Sequence, residues 1–264
     1  MSRVRRMPGS IALLSMLVLL LPSAAVAAGP SDQLPDLVMA RPQDIRLKVT
    51  GGQKILQFST IIVNAGVGPL EVHGTRITDC PNPPCDKMTT EQFIRRTDGT
   101  WRHVPSAAEQ RFAPDVNHYH WHVIDMERYE LFPMDAPFSD GPVTGHKYGY
   151  CFFDGEHRRP RLARSPKVPH YSFWDCGKPD SQSTRVGLPV GWGDIYPYNF
   201  YGQGIDVSNV PDGDYLICIG ADPFDYFLET DNTNNQAWAK VSISGATIHI
   251  GLHGRSACSA QLPW

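Results

Sequence analysis

The chain has no block of basic residues and almost no stretch of helical apolar period. Charged side chains make up only 19% of its 264 residues, against about 25% in ordinary soluble domains. With 24 lysines and arginines set against 27 acids, it offers no cationic footprint for nucleic acid. Its one long apolar run, Ile11 to Leu21, is too short for a membrane span, which needs about 20 apolar residues, and no second run occurs. No Cys-x-x-Cys pair occurs, which removes the common thiolate signature for zinc. Neither an internal repeat nor a linker-like tract divides the sequence.

Punctuation is abundant instead. Glycine and proline each occur 23 times, which favours many short strands joined by turns over long helices. Aromatics at 10% supply enough large apolar side chains for a core and argue against a disordered chain. Alternating runs at Lys54–Val63, Tyr148–Phe153, Tyr215–Ile219 and Ala237–Ile243 read as strands. Asp98-Gly99 between Phe93–Arg96 and Trp101–Val104 predicts a hairpin, and Pro211-Asp212-Gly213-Asp214 a turn feeding the Tyr215 strand. Gly155 to Tyr201 lacks a clean period and reads as a long irregular connection of the kind that carries function. The expectation is an all-β, sandwich-like single domain over residues 29–264.

The first 28 residues read as a leader. Arg3, Arg5 and Arg6 precede the apolar run, and Ala25-Val26-Ala27 offers small residues for cleavage. The leader carries three arginines and no acid, so its removal leaves 21 cationic against 27 acidic side chains, a charge near −6. The expected product is exported, secreted or periplasmic, with no membrane attachment. All six cysteines, Cys80, Cys85, Cys151, Cys176, Cys218 and Cys258, fall beyond the leader, and an even count in an exported chain predicts disulfides. Cys80 and Cys85 are close enough for a local staple around Pro81 to Pro84; Cys151 with Cys176 and Cys218 with Cys258 are then paired by default.

The most informative segment is Asn117-His118-Tyr119-His120-Trp121-His122. On a strand, side chains at alternate positions share a face, so the three imidazoles line up while Tyr119 and Trp121 turn away. Neutral imidazole suits Cu²⁺, Zn²⁺, Fe²⁺ and Ni²⁺, with Cu²⁺ bound most tightly at comparable sites. Four strand steps span roughly 13 Å, near the limit for two outer histidines to reach one ion, so a bulge or bend is expected close by. The apolar positions agree: Ile124 and Met126 shift register to Tyr129 and Leu131. Three histidines alone also suit a zinc site that activates water.

The histidine segment and two segments downstream of it resemble the lysyl oxidase family of copper- and quinone-dependent amine oxidases. The likeness rests on His118, His120 and His122 succeeded by Asp125 and Tyr129-Glu130-Leu131, on Gly145-His146-Lys147 before Cys151, and on Gly191-Trp192-Gly193-Asp194-Ile195-Tyr196. It continues through Ile205-Asp206-Val207 and Pro211-Asp212-Gly213-Asp214-Tyr215. Three motifs in family order are far more specific than one. The resemblance implies copper on the three histidines and a lysine tyrosylquinone made from Lys147 and Tyr196, which lie 49 positions apart. It also implies oxidative deamination of a primary amine or peptidyl-lysine by dioxygen, with an acid, Asp194 or Asp125, moving the proton. Lys147 must lose its own proton to react, which calls for a partly desolvated position. The Gly155–Tyr201 region must then either move or pack so that the two residues meet. The chain departs from the family pattern at Arg128, where many animal members have histidine, and at Val186, where the family has glutamine.

A second cluster, Glu229-Thr230-Asp231-Asn232-Thr233-Asn234-Asn235, concentrates side-chain oxygens of the kind Ca²⁺ takes up. It is not an EF-hand, and an Asx-rich turn satisfying its own backbone is the plainer account. The family resemblance implies a structural calcium held by Glu229, Asp231, Asn234 and Asn235 with Asp36-Leu37. Two rival functions remain open on sequence alone: an exported copper-binding or adhesion module without turnover, and a zinc hydrolase.

Overall fold

Short apolar–polar alternations broken by glycine and proline fold here almost wholly into strands. A computed structural model describes residues 30–114, 119–137, 139 and 141–263; the leader, Asn117 and His118 lie outside the described residues. In chain order the strands are β1 (Asp32–Gln33), β2 (Leu37–Met39), β3 (Gln43–Thr50), β4 (Gln53–Asn64), β5 (Leu70–Arg76), β6 (Lys87–Arg96), β7 (Trp101–Ala113) and β8 (His120–Pro133). Next come β9 (Val143–Tyr150), β10 (Glu156–His157), β11 (Ser183–Leu188), β12 (Trp192–Tyr196), β13 (Ile205–Asp206), β14 (Gly213–Ala221), β15 (Gln236–Ser244) and β16 (Thr247–Gly254). Helix among the described residues is confined to two 3-10 turns, Phe173–Cys176 and Cys258–Gln261.

The strands form two sheets. The larger runs β11-β5-β6-β7-β8-β14-β15-β16, with β1 on β6 and β9 on β8; the smaller runs β10-β12-β4-β13, with β2 and β3 also on β4. One core lies between them. Leu37, Met39, Leu56, Phe58 and Ile62 enter it from the smaller sheet, and Leu70, Val72, Tyr129, Leu131 and Ile217 from the larger. Each fully buried aliphatic side chain contributes roughly 2 kcal/mol of transfer free energy, so the shared core is what holds the layers face to face. The expected all-β, sandwich-like fold is the fold observed.

Local signals are borne out where turn chemistry was explicit. Asp98 accepts hydrogen bonds from the Thr100 backbone and hydroxyl, and Gly99 takes a φ of 88° in the hairpin between β6 and β7. The Tyr215 strand leaves its turn with Tyr215 Oη donating to the Pro211 carbonyl at 2.6 Å. The three disulfides are Cys80–Cys85, Cys151–Cys176 and Cys218–Cys258, with Cα separations of 5.9, 5.6 and 5.9 Å.

The region from Gly155 to Tyr201 differs from its reading as a plain connection. It is irregular to Gln182 apart from β10 and one 3-10 turn, but then supplies β11 and β12. Glycines at 187, 191 and 193 interrupt the apolar pattern, and Trp192, Gly193 and Asp194 are buried in succession. A strand covered on both faces has no alternation to detect.

Candidate active site

The histidine strand folds as its alternation demands. His120 lies opposite Ala113 of β7 and His122 opposite Arg111. Their rings share one face, both buried, with centroids 4.4 Å apart. Trp121 points the other way and donates from Nε1 to the Lys178 carbonyl at 2.8 Å, while Tyr119 is exposed. His118 lies outside the described residues, and among the described residues no three histidine, cysteine or acidic side chains gather as a metal site by themselves. Two buried imidazoles on one face, with the alternation supplying a third two positions earlier, fit a copper ion by donor chemistry.

Past the histidines the strand bulges, as expected from the sequence. The β8–β9 register slips between Ile124 and Glu127, and Asp125 adopts a φ of 59°. The bulge decides which acid of the segment turns inward. Glu127 becomes fully buried and sits directly across from Lys147 of β9, so the two side chains share a face. Asp125 lines a surface cleft of about 550 Å³ with Arg128, Glu130 and Phe224, which Glu127 borders from its inner side; the register sets Glu127, not Asp125, across from Lys147. The Arg128 guanidinium lies over the Phe224 ring at 5.1 Å, and Val186 is part of the core.

The opposite layer completes the cluster. Asp194 and Tyr196 of β12 are two positions apart and share a face, with Tyr196 opposite Thr60 of β4. Lys147 Nζ stands 4.7 Å from the centroid of the Tyr196 ring, so the Gly155–Tyr201 region is packed with the two residues already together. Tyr196 Oη accepts a hydrogen bond from the Cys151 backbone N–H at 3.2 Å, and its ring packs on Tyr150 at 4.1 Å. Cys151 is bonded to Cys176, at the end of the turn whose Phe173 packs edge-on against His120 at 4.8 Å. Gly149 brings β9 against the histidines: a Cβ there would lie 2.6 Å from His122 Cβ.

Electrostatics sets this cluster apart. Glu127 Oε2 accepts hydrogen bonds from Thr60 at 3.0 Å, from Tyr129 at 2.8 Å and from Tyr150, whereas Oε1 is buried with no hydrogen-bond partner among the described residues. Burial outweighs those three donors and pushes the Glu127 carboxyl up to about 7. Asp194, with no exposed surface, is raised well above the ordinary carboxylate range by burial and then by repulsion from Glu127. Burial lowers the Lys147 ammonium, against the attraction of Glu127 and Asp194. The Tyr196 phenol is raised by burial and by Asp194. The result is a desolvated amine beside a phenol ring, flanked by two acids. Glu127 is the site residue that the motifs alone do not single out.

The oxygen-rich segment also meets its expected partner. Asn234 Nδ2 donates to Asp36 Oδ1 and Asn235 Nδ2 to Glu229 Oε1, each at 3.0 Å, and the Leu37 N–H donates to Glu229 Oε2. Burial pushes Glu229 up to about 8. The Oδ1 atoms of Asn234 and Asn235 are buried without a hydrogen-bond partner among the described residues. Asp231 turns onto its own loop and accepts from the Thr233 backbone at 2.8 Å and from its hydroxyl at 2.6 Å.

Residues 90–252 match the family model described as lysyl oxidase. The chain is 25% identical over 151 residues to human lysyl oxidase homolog 1, an alignment covering 57% of this chain and 24% of that protein. Human protein-lysine 6-oxidase is 26% identical over 156 residues, covering 57% and 32%, and lysyl oxidase homolog 2 of Xenopus tropicalis is 22% identical over 184 residues, covering 65% and 22%. The chain thus spans about a quarter to a third of the length of these relatives. The matched interval holds the histidine strand, Lys147 and Tyr196, and covers more than half of the sequence, so the chain belongs to the lysyl oxidase family.

Proposed function

We propose that this protein is an exported, copper-dependent amine oxidase. It converts primary amines, peptidyl-lysine among them, to aldehydes, with dioxygen as oxidant and hydrogen peroxide and ammonia as the other products. The observation that carries this reading is the Lys147 amine held 4.7 Å from the Tyr196 ring centroid in a closed interior. Copper sits on His118, His120 and His122, and the cofactor is a quinone built from Lys147 and Tyr196. Once formed, that cofactor supplies an electrophilic carbonyl for the substrate amine. The chain's own groups do the rest. The Cys151 N–H and the Tyr150 ring fix the phenol. Asp194, on the face of Tyr196, is the group placed to exchange a proton at the ring, while Asp125 contributes negative charge at the outer cleft. Calcium held by Asp36, Leu37, Glu229, Asn234 and Asn235 would pin the β2 segment to the loop before β15 in a structural role, with Asp231 left on its own loop.

The test is a tryptic mass spectrum of protein matured with copper and air, searched for a covalent link between the Lys147 and Tyr196 peptides. Peroxide released on addition of a primary amine, and blocked by a carbonyl-trapping hydrazine, is the expected companion result. Copper uptake with neither cross-link nor peroxide would leave a binding module. Zinc uptake with ester hydrolysis would leave a hydrolase.

A further inference from the structure

Glu127 has no place in the cofactor chemistry assigned to Lys147, Tyr196 and Asp194, yet it is the acid most tightly built into the site. It lies directly across the β8–β9 ladder from Lys147. One of its oxygens is saturated by three hydroxyls, those of Thr60, Tyr129 and Tyr150. The other is enclosed and bonds to nothing among the described residues. Tyr129 and Tyr150 are both raised well above their ordinary range by burial and by Glu127 itself. They therefore remain neutral donors that hold the carboxylate in place and cannot take its proton. Thr60 is held in turn by Gln203 Nε2 at 3.0 Å. Such a frame fixes the carboxylate on the same face as the Lys147 cation of the neighbouring strand, which attracts it across the ladder without a direct hydrogen bond among the described residues.

We propose that Glu127 is the proton acceptor that frees the Lys147 amine for its bond to the oxidised Tyr196 ring. This inference rests on the quinone reading. The step is a transfer of one proton from the Lys147 ammonium to the Glu127 carboxylate, which leaves a neutral amine and a neutral acid; the oxidation of Tyr196 draws on dioxygen and is separate. The groups facing the pair divide the labour. From β9 come Lys147 and Tyr150, from β8 Tyr129, from β12 Asp194 and Tyr196, and from β4 the uncharged Thr60. Asp194 has no hydroxyl donors to stabilise its ion and stands near a second carboxylate, with Asp154 adding further repulsion. Burial and the neighbouring carboxylates hold Asp194 well above the ordinary carboxylate range, whereas Glu127, steadied by its three hydroxyl donors, ionises near neutrality. Two acids with environments that push them apart is the pattern by which acid and base roles are assigned.

The experiment uses the full chain prepared without copper, then given Cu²⁺ in aerated buffer from below to well above about pH 7. Quinone absorbance and the Lys147–Tyr196 cross-linked peptide are followed with time. The wild-type rate should rise as Glu127 ionises. Glu127→Gln should bind copper normally, accumulate oxygenated but unlinked Tyr196 peptide, and form the cross-link on the order of 100-fold more slowly at neutral pH. Its rate should recover in alkali, where hydroxide takes the proton, and Glu127→Asp should restore part of it at neutral pH. A purely structural role for Glu127 predicts no alkaline recovery. Wild-type speed and pH profile in Glu127→Gln would overturn the proposal. If that variant fails to fold, a wild-type rate that is flat through neutrality overturns it equally. A wild-type protein that never forms the cross-link sinks the quinone reading itself, a result distinct from either of these.

Discussion

Two buried glutamates of the larger sheet show opposite solutions to the same problem. Glu71 on β5 is as enclosed as Glu127 on β8. Arg185 of β11 forks onto both Glu71 oxygens at 3.0 Å, His73 approaches at 2.8 Å, and Tyr171 donates at 2.7 Å. Burial alone would raise the Glu71 carboxyl, but these partners outweigh it and hold the group down at about 2. Glu127 has hydroxyl donors but no guanidinium, and the cation facing it, Lys147, is shared with Asp194 and is itself weakened by burial. One carboxylate is settled, and the other is left poised near neutrality. Because buried ions are normally paired, incomplete pairing around Lys147, Glu127 and Asp194 is the physical mark of a working site.

The largest effects should come from removing the pair at the centre of the poised cluster. Lys147→Ala and Tyr196→Phe should each abolish peroxide release from amines while metal analysis finds copper near the wild-type level. Turnover retained in either variant would dissolve the functional side of the comparison. His120→Ala acts one step earlier: copper occupancy should fall, and neither quinone absorbance nor cross-link should appear.

Asp194→Asn tests whether the cluster is held at a cost. The amide is nearly isosteric and removes an acid that has no exposed surface. The thermal midpoint should therefore hold or rise, by up to about 2 kcal/mol of stability, while amine oxidation falls on the order of 100-fold. A variant that lost stability and activity together would place Asp194 with Glu71 as a structural acid.

The two glutamates also show what the sequence made legible. Lys147 and Tyr196 stood out because motif order singled them out, and the bulge near the histidines could be expected from the reach of three imidazoles along one strand. Glu127 did not, because Asp125-Met126-Glu127-Arg128-Tyr129-Glu130 holds three acids, and only the slip in register decides which one faces Lys147. Glu71 was equally hidden: its partners Tyr171 and Arg185 come from a segment without period, and their convergence is a tertiary fact. β12 escaped detection because a strand buried on both faces, with glycine at 193, does not alternate. Of the disulfides, Cys80–Cys85 was readable from its close spacing, whereas the other two were paired only by default, since four cysteines still allow three pairings.

Glu71→Gln should behave as the mirror image of Asp194→Asn. The folded value of about 2 lies below the ordinary 4.5, so the ion contributes stability above about pH 4.5, and the contribution is lost as pH falls toward about 2. At neutral pH the variant should lose about 2 kcal/mol, a figure discounted because Arg185 is half exposed. The gap to wild type should close in acid, as followed by denaturant unfolding across that window. Cofactor formation should be unaffected, since none of the partners of Glu71 reaches Lys147.

The smallest effect belongs to the oxygen-rich corner, which resembles the poised cluster more than the settled one. Glu229 is buried and raised to about 8, with amide donors but no cation to offset its charge. The Oδ1 atoms of Asn234 and Asn235 are enclosed without hydrogen-bond partners among the described residues. A divalent cation would satisfy all three residues at once, which is the arrangement calcium favours. Calcium at ten times its Kd should then add about 1.4 kcal/mol to the unfolding free energy, seen as a small rise in the thermal midpoint that chelation reverses. Glu229→Gln should abolish that rise while copper binding persists. A midpoint indifferent to calcium in the wild-type protein would return Asn234 and Asn235 to an ordinary Asx-rich turn.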